Sequence, residues 1–269
     1  MLKANYHTHT KRCGHATGED EEYVLEAIGN GFRYLGFSDH AMLPNFDEPR
    51  IRGNYEKDFD NYIESINALK KKYEDKIEIY VGFEAESFPT YFPFFKELLD
   101  NKVLDYMILG NHISLSDNNE ITNRFSKIKS ASQLYLYKDL AITAIKSKMY
   151  SIFAHPDYFL SSIENFDLDC KKVSRELIAC CIENDVPLEV NVAGIRNNKR
   201  LIGKEKRWIY PTSYFFEMVS KMKAKCIIGQ DAHAPNQIFN EASNFEAVKF
   251  CKKYDLKMVD HLESIKSKK

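Results

Sequence analysis

The residues of this chain that can do chemistry stand at the ends of short apolar runs. Six of the eight histidines occur in this position, and an aspartate or a glutamate often accompanies them. A side chain at the end of a buried strand points into whatever cavity lies at that edge of the sheet. The runs, in chain order, are LKANYHTH, RYLGFSDH, IYVGFEAE, DYMILGNH, YSIFAHPD and CIIGQDAH. Imidazoles and carboxylates that six strands deliver to one edge are typical of a polynuclear metal site.

Two of these runs carry ligand types at positions i and i+2. His7 and His9 form one such pair, and Asp231 and His233 form the other. Alternate residues of a strand point to the same side, so each pair can present two side chains to one metal ion. The further candidate ligands are His15, His40, Glu84, His112 and His155.

Glu84 and Glu86 also share one strand face. We favour Glu84 as the ligand because it stands closer to the end of the apolar run, and we expect Glu86 to be solvated or to support a ligand. Cys13 is a weaker candidate, since enough harder ligands surround it.

The metal hypothesis rests on recurrence, because a lone histidine is more often a satisfied core residue. Burying this many unpaired imidazoles and carboxylates around one cavity would be costly without cations. Mixed histidine and carboxylate ligation suits zinc, iron or manganese better than calcium or magnesium, which prefer oxygen ligands.

The elements that must position these groups alternate along the chain. Strands are predicted near residues 3–7, 33–37, 77–83, 104–110, 151–154, 187–192 and 226–230, and helices near 20–30, 55–74, 92–100, 131–148, 171–184, 212–223 and 240–253. Capping signals at Thr17 with Asp20, at Ser130, and at Asn30 with Gly31 support three of the helix ends.

Seven β–α units indicate an α/β fold with a parallel sheet. An open doubly wound sheet is the alternative, but there only the loops beside a switch point converge. Closure into a TIM-like (β/α)7 barrel brings every strand end to one cavity, so we favour a single barrel domain over residues 1–269. The Pro- and Gly-punctuated loop 42–54 is expected to form a lid or a substrate-binding wall.

The net charge of −1 gives no global attraction to nucleic acid or to a membrane surface. We find neither a secretory signal nor an apolar run long enough to span a bilayer, and the six cysteines lack CxxC spacing. A cytoplasmic protein with reduced cysteines is therefore expected, and its partner is expected to be a small molecule. The oligomeric state is left open.

The ordered set HxH, SDH, GxE, NH, HPD and DAH resembles the PHP family, named for polymerase and histidinol phosphatase domains. The resemblance extends from about residue 3 to residue 235 and implies a distorted seven-stranded barrel with two to three divalent metal ions. It implies that one ion is held by His7, His9, Glu84 and Asp231, a second by Glu84, His112 and His155, and a third by His15, His40 and His233.

Within that family, the chain length, the CGHA segment and the run PLEVNVAGIR look most like the histidinol-phosphate phosphatases. The resemblance implies hydrolysis of L-histidinol phosphate to L-histidinol and phosphate, a step of histidine biosynthesis. The alternatives are the same chemistry on another small phosphoester, such as a nucleotide or a sugar phosphate, and a non-catalytic metal-binding module.

The expected mechanism is in-line attack on phosphorus by a hydroxide bridging metal ions at Glu84. Asp231 is the favoured proton carrier and Asp157 the weaker one. Arg196 is expected to bind the phosphate through its planar fork. Weaker candidates for that task are Arg52, Lys199 and Arg200. His261 is expected to be exposed and without a role.

Overall fold

The computed structural model describes residues 2–49, 51–263 and 265, so the lysines of the tail at 266–269 lie outside the described residues. The strands are β1 Ala4–Asn5, β2 Tyr34–His40, β3 Glu78–Ala85, β4 Tyr106–Leu109, β5 Ile113–Leu115, β6 Ile121–Arg124, β7 Ile152–Phe153, β8 Leu188–Asn191, β9 Arg200–Ile202, β10 Glu205–Arg207, β11 Lys225–Gly229 and β12 Lys257–Met258. The helices are α1 Asp20–Gly29, α2 Tyr55–Lys72, α3 Phe92–Asp100, α4 Ala131–Lys146, α5 Leu168–Glu183, α6 Val192–Arg196, α7 Ser213–Met222 and α8 Glu241–Lys253.

Parallel strands form the centre of the molecule. Among the described residues the main sheet has eight strands in the order β1-β2-β3-β4-β7-β8-β11-β12. Each pair of neighbours is parallel, and in the register of β2 with β3 His40 lies directly opposite Glu84. The predicted parallel α/β sheet is confirmed. The predicted number of strands differs, because the two-residue β12 follows a stretch without a β-branched or aromatic run.

The segment that follows β1, the first strand of the sheet, meets the segment that follows β11. Thr8 and Ala232 form a parallel bridge, in which the His9 amide donates to the Ala232 carbonyl at 2.9 Å. At the other end of β11, Lys225 and Cys226 pair instead with β12. The sheet therefore curls until the chain beyond β1 touches the chain beyond β11, close to the carboxyl ends of the strands.

The inside of the curled sheet has two layers. Near the amino ends, Tyr6, Tyr80 and Tyr106 pack with Ile152 and Ile227 as a buried apolar cluster. Alternation along β3 then places Glu84 on the same face as Tyr80, four residues further on. The interior thus changes from apolar to ionisable toward the carboxyl ends, where the candidate ligands lie.

The opposite faces of the strands pack on the helices. Leu35, Phe37 and Phe83 belong to one large buried cluster with helix residues such as Tyr23 and Ile66. This packing supplies the hydrophobic stabilisation that holds the strand ends in place. Among the described residues, none of the helices combines the length and the apolar character needed to cross a bilayer.

Some local predictions need correction. Helix α1 begins with a capping box of Glu19 and Glu22, so Thr17 is not its cap. Ser130 caps α4 as expected, accepting a hydrogen bond from the Gln133 amide. The antiparallel pairs β5–β6 and β9–β10 and the short helix α6 were not predicted, because elements of three to five residues are too short to show a recognisable periodic pattern.

Candidate metal centre

The candidate ligands lie at or just beyond the carboxyl ends of the strands. His40 is the last residue of β2 and Glu84 the last but one of β3. His112, His155 and Asp231 follow β4, β7 and β11 within three residues. Every one of the nine predicted ligands is thereby brought to one end of the curled sheet, namely His7, His9, His15, His40, Glu84, His112, His155, Asp231 and His233.

Three pairs of imidazoles point their Nε2 atoms at each other. His7 and His9 approach to 3.1 Å, His112 and His155 to 3.1 Å, and His15 and His233 to 3.0 Å. Two nitrogens that share one tetrahedral zinc ion at ordinary bond lengths are about 3.3 Å apart. Each pair falls in one of the three predicted ligand groups.

The opposite ring nitrogens fix the direction of the lone pairs. Nδ1 of His7 lies 2.8 Å from Glu189 and Nδ1 of His112 lies 2.9 Å from Glu86, and a carboxylate there requires an N–H donor. Nδ1 of His15 likewise donates to the Cys13 carbonyl at 3.0 Å. When these three rings are neutral, each therefore turns an Nε2 lone pair toward its partner imidazole, and a cation between the two rings would accept that lone pair. The donors present therefore fit a metal ion.

Glu84 lies between these pairs. Its Oε1 is 2.9 Å from Nε2 of His155 and 3.5 Å from Nε2 of His7. Its Oε2 is 3.1 Å from Nδ1 of His40 and 3.5 Å from Nε2 of His9. One carboxylate thus faces two of the three histidine pairs, which is the arrangement that a bridging ligand needs.

Asp231 faces the first pair from the other side. Its Oδ1 lies 3.5 Å from Nε2 of His7 and 3.3 Å from Nε2 of His9. Its Oδ2 accepts a hydrogen bond from Nδ2 of Asn191 at 3.1 Å. Because Asn191 also caps α6, the short helix fixes the orientation of this carboxylate.

The charges of the cluster shift its pKa values in opposite directions. Burial alone would raise the pKa of Glu84, but the imidazoles of His112, His7 and His40 hold it well below its usual range. Burial would lower the pKa of His9, but carboxylates around it raise the pKa to about 9. Burial and the neighbouring His9 lower the pKa of His233 to about 3. A metal-free cluster thus keeps its carboxylates ionised and divides its histidines into charged and neutral rings.

Glu189 is a functional residue that the sequence analysis missed. Besides His7, it accepts hydrogen bonds from the His155 amide at 2.9 Å and from Nδ2 of Asn191 at 2.8 Å. A Cβ atom at Gly229 on the neighbouring strand would lie only 1.8 Å from its Oε1, so this position has no room for a side chain. The glutamate stands inside the apolar run LEVN, where strand alternation was the only signal.

Asp39 was missed for a different reason. It stands inside the SDH motif, next to the more conspicuous His40, and is fully buried. It accepts a hydrogen bond from the Thr10 hydroxyl, and its Oδ1 lies 3.4 Å from Nδ1 of His9. Asp39 therefore lies beside a candidate ligand as its ion-pair partner, without the short hydrogen bond that joins Glu189 to His7.

Three non-glycine residues at this edge have left-handed backbone. The φ angles are 52° at Asn111, 28° at His155 and 48° at Asp231. Such conformations cost free energy in residues with a Cβ and persist where the surroundings impose them. Their position after β4, β7 and β11 turns the chain so that the side chains face the cluster.

Arg196 and Lys199, two of the residues predicted to bind the phosphate, both contact other protein groups. Arg196 donates to the carbonyls of Gln230 at 3.1 Å and Asp231 at 3.0 Å, and to the Gln237 side chain at 3.2 Å. Its two Nη groups are thus bound to the segment that carries Asp231 and His233. Lys199 lies over the Trp208 ring.

Of the remaining minor candidates, Cys13 lies nearest to the ligands, with its Sγ within 4.8 Å of ring nitrogens of His9 and His233. Arg200 is exposed at the start of β9. Asp157 is buried and accepts from the Thr212 amide. Burial raises the pKa of the Cys13 thiol to about 12, which disfavours the thiolate a metal needs, and the six cysteines are all free and buried. His261 is half-buried beside Tyr34, so the prediction of exposure is wrong.

A cavity of about 220 Å³ opens in front of the cluster. Three candidate ligands contribute to its wall, together with Arg52 of the loop 42–54, Arg124 at the end of β6, and Tyr158. We call it the site cavity, and its lining residues are His15, His40, Ile51, Arg52, Glu86, His112, Ile113, Arg124, Ser126 and Tyr158. Ile51 and Arg52 come from the loop 42–54.

A known protein family matches the part of the chain that carries most of the candidate ligands. The model of the PHP domain matches residues 5–193, which is more than half of the chain. This chain belongs to the PHP domain family. The match includes seven of the nine candidate ligands, while Asp231 and His233 lie beyond it.

Two curated relatives and one solved structure are similar to this chain over most of its length. The chain is 24% identical over 264 residues to the histidinol-phosphatase of Bacillus subtilis, with 88% of this chain and 96% of the relative covered. It is 25% identical over 235 residues to a probable histidinol-phosphatase of Deinococcus radiodurans, with 86% of each covered. The histidinol phosphate phosphatase of Lactococcus lactis, solved with zinc, L-histidinol and phosphate, superposes with a TM-score of 0.71 at 20% identity, covering 100% of this chain and 99% of that one. At that identity the structural likeness establishes the fold.

Proposed function

We propose that this protein is a metal-dependent phosphatase that hydrolyses L-histidinol phosphate to L-histidinol and phosphate. Two Nε2 pairs converge on the Glu84 carboxylate and the third pair lies beside His40, in front of a cavity lined by two arginines; this arrangement carries the proposal. Family membership and the names of the relatives that the chain matches over most of their length support the choice of substrate.

Two to three divalent ions are proposed, with zinc as the first candidate. His7, His9, Glu84 and Asp231 would hold one ion. Glu84 would be shared with a second, held also by His112 and His155. A third would lie among His15, His40 and His233. Bound divalent ions supply an activated water near neutral pH and neutralise charge on the phosphoryl oxygens.

The protein's own residues have separate tasks in this proposal. Glu84 stays ionised because its pKa is held well below the usual range, so its negative charge balances the cations on both sides. Asp231 is ionised for the same reason, after its burial is offset by His7 and His9. We propose that Asp231 accepts the proton of the attacking water and delivers it toward the leaving alkoxide, which is a poor leaving group without one.

The architecture proposed around this site is a distorted barrel of seven strands, closed by the Thr8–Ala232 bridge, with β12 as an extra strand outside the ring. The whole chain would act as one catalytic domain, because ligands from residue 7 to residue 233 must meet. A cavity of about 220 Å³ suits a small-molecule ester.

Phosphate release from a panel of esters tests the function. The metal-reconstituted protein is offered L-histidinol phosphate, nucleoside monophosphates, sugar phosphates and an aryl phosphate. We expect the highest kcat/KM for L-histidinol phosphate. A higher value for a nucleotide or a sugar phosphate would move the assignment to that ester, and no release from any ester would contradict a phosphatase.

A further inference from the structure

Arg52 is the largest of the fully buried side chains in the described part of the protein. Only 1% of its surface is exposed. A guanidinium group is charged at every relevant pH and has five N–H donors, so burying it demands acceptors. Two of the three nitrogens of the Arg52 guanidinium have no hydrogen-bond acceptor among the described residues.

Only one edge of the guanidinium has a hydrogen bond. Nη1 donates to the Ala41 carbonyl at 2.9 Å. Nε and Nη2 have no hydrogen-bond partner among the described residues. These two nitrogens share the side edge of the guanidinium plane, and their N–H groups are parallel. The free edge is therefore a complete two-pronged donor.

The nearest carboxylate does not fill this edge. Oε1 of Glu86 lies 3.9 Å from Nη2, beyond hydrogen-bond distance. Both oxygens of Glu86 already accept hydrogen bonds, from Nδ1 and the amide of His112 and from the amide of Ile113. The ion pair lowers the cost of burying Arg52 but leaves its donors unused.

The Arg52 side chain lies at the candidate metal centre, with its unpaired Nε and Nη2 atoms buried. Its side chain is part of the wall of the site cavity, which His15, His40 and His112 also line. The ring of Phe46 lies 5.2 Å from the guanidinium carbon and packs on one face of the group. A ligand that reaches the three histidines thus shares a cavity of about 220 Å³ with Arg52.

Arg196 differs in this respect. Both of its Nη groups donate to protein acceptors at 3.0–3.2 Å. Arg124, the other arginine of the site cavity, is half exposed and pairs with Glu48 at 2.8 Å. Of these three arginines, Arg52 is the one that is fully buried and has an unused edge.

We propose that Arg52 binds the phosphoryl group of the substrate, with Nε and Nη2 each donating to a different non-bridging oxygen. The planar fork of arginine matches two oxygens of a phosphate, and charged hydrogen bonds of this kind are the strong ones. The inference rests on the proposed phosphatase activity for its choice of anion, and it applies equally to the product phosphate.

Calorimetric titration of the metal-loaded protein with inorganic phosphate tests the proposal. The variants are Arg52→Met, which removes charge and fork, and Arg52→Lys, which keeps the charge and removes the fork. We expect the Kd of phosphate to rise on the order of 10- to 100-fold in the Met variant, as for the loss of one or two charged hydrogen bonds, and to rise less in the Lys variant. The KM for the phosphoester should rise with it, while the metal content stays unchanged.

Arg207→Met is the matched control. Arg207 is also buried, but its donors reach the carbonyls of Leu160, Ile163 and Trp208 at 2.9–3.1 Å. This variant should lower the melting temperature and leave the Kd of phosphate unchanged.

An unchanged Kd of phosphate in Arg52→Met at full metal content would overturn the proposal and make Arg52 a counter-ion of Glu86. If the Met variant does not fold, the Lys variant decides by the same comparison. Failure of the wild-type protein to hydrolyse any ester would contradict the proposed function instead, because the phosphate titration needs no turnover.

Discussion

Replacement of Glu189 by glutamine removes one negative charge and one hydrogen-bond acceptor from the candidate metal centre. The wild-type carboxylate accepts three hydrogen bonds, one on Oε1 from Nδ1 of His7 and two on Oε2 from the His155 amide and from Asn191. Glutamine has nearly the same shape but only one oxygen. Its NH2 group must therefore face at least one donor.

The two orientations of the amide have different costs. If the amide oxygen faces His7, two buried donors lose their acceptor, which costs about 1–3 kcal/mol for each. If the oxygen faces His155 and Asn191 instead, the NH2 group faces Nδ1 of His7, and the proton of that ring moves to Nε2. The second orientation keeps the hydrogen bonds but turns an N–H toward the ion. We therefore expect Glu189→Gln to bind zinc about 10- to 100-fold more weakly, which corresponds to about 1.4–2.7 kcal/mol.

Zinc titration against a competing chelator measures this loss. Glu97→Gln, an exposed position on α3, serves as the control and should match the wild type. Wild-type zinc affinity in Glu189→Gln would refute the argument that the carboxylate sets the tautomer of His7. So would an equal loss in Glu97→Gln.

Three further predictions concern the metal, the space around it and the loop beside it. Burial alone would lower the pKa of His9, but carboxylates raise it to about 9, so this ring is charged at neutral pH without metal and zinc must displace its proton. Zinc affinity should thus fall as the pH drops below about 9. Calorimetry in buffers of different ionisation enthalpy should show the released proton. An affinity that does not vary between pH 7 and 9 would contradict this pKa. Gly229→Ala places a methyl group 1.8 Å from Glu189 and should lower both zinc affinity and melting temperature, whereas unchanged values would show that the carboxylate has room to move. Arg196→Ala frees the backbone at Asp231 and should lower kcat as well as raise KM; a rise in KM alone would return Arg196 to phosphate binding.

Much of the fold follows from local patterns. Strands β2 to β4, β8 and β11 are short apolar runs, and helices such as α2 and α4 have clear helical spacing and caps. Most of the candidate ligands were visible because they stand at the end of an apolar run, where a parallel sheet gathers side chains. What remained hidden was short, as with β12 and α6, whose formation depends on neighbours that are distant in sequence.

The supporting residues were harder to predict for a related reason. Glu189 has no sequence neighbour that marks it, and only the curl of the sheet turns it toward His7. The unused donors of Arg52 and the occupied donors of Arg196 depend on distances of a few tenths of an ångström between separate loops. Residue types alone ranked these two arginines in the order opposite to the one that their hydrogen bonds support.

The most direct test of the central claim is the ratio of kcat/KM for L-histidinol phosphate to that for a generic aryl phosphate, measured with zinc-reconstituted protein whose metal content has been determined. We expect two to three ions per chain and a ratio of at least roughly 100, since the site cavity must recognise the leaving group as well as the phosphate. A ratio near one, at full metal content, would contradict the claim that this is a histidinol-phosphate phosphatase.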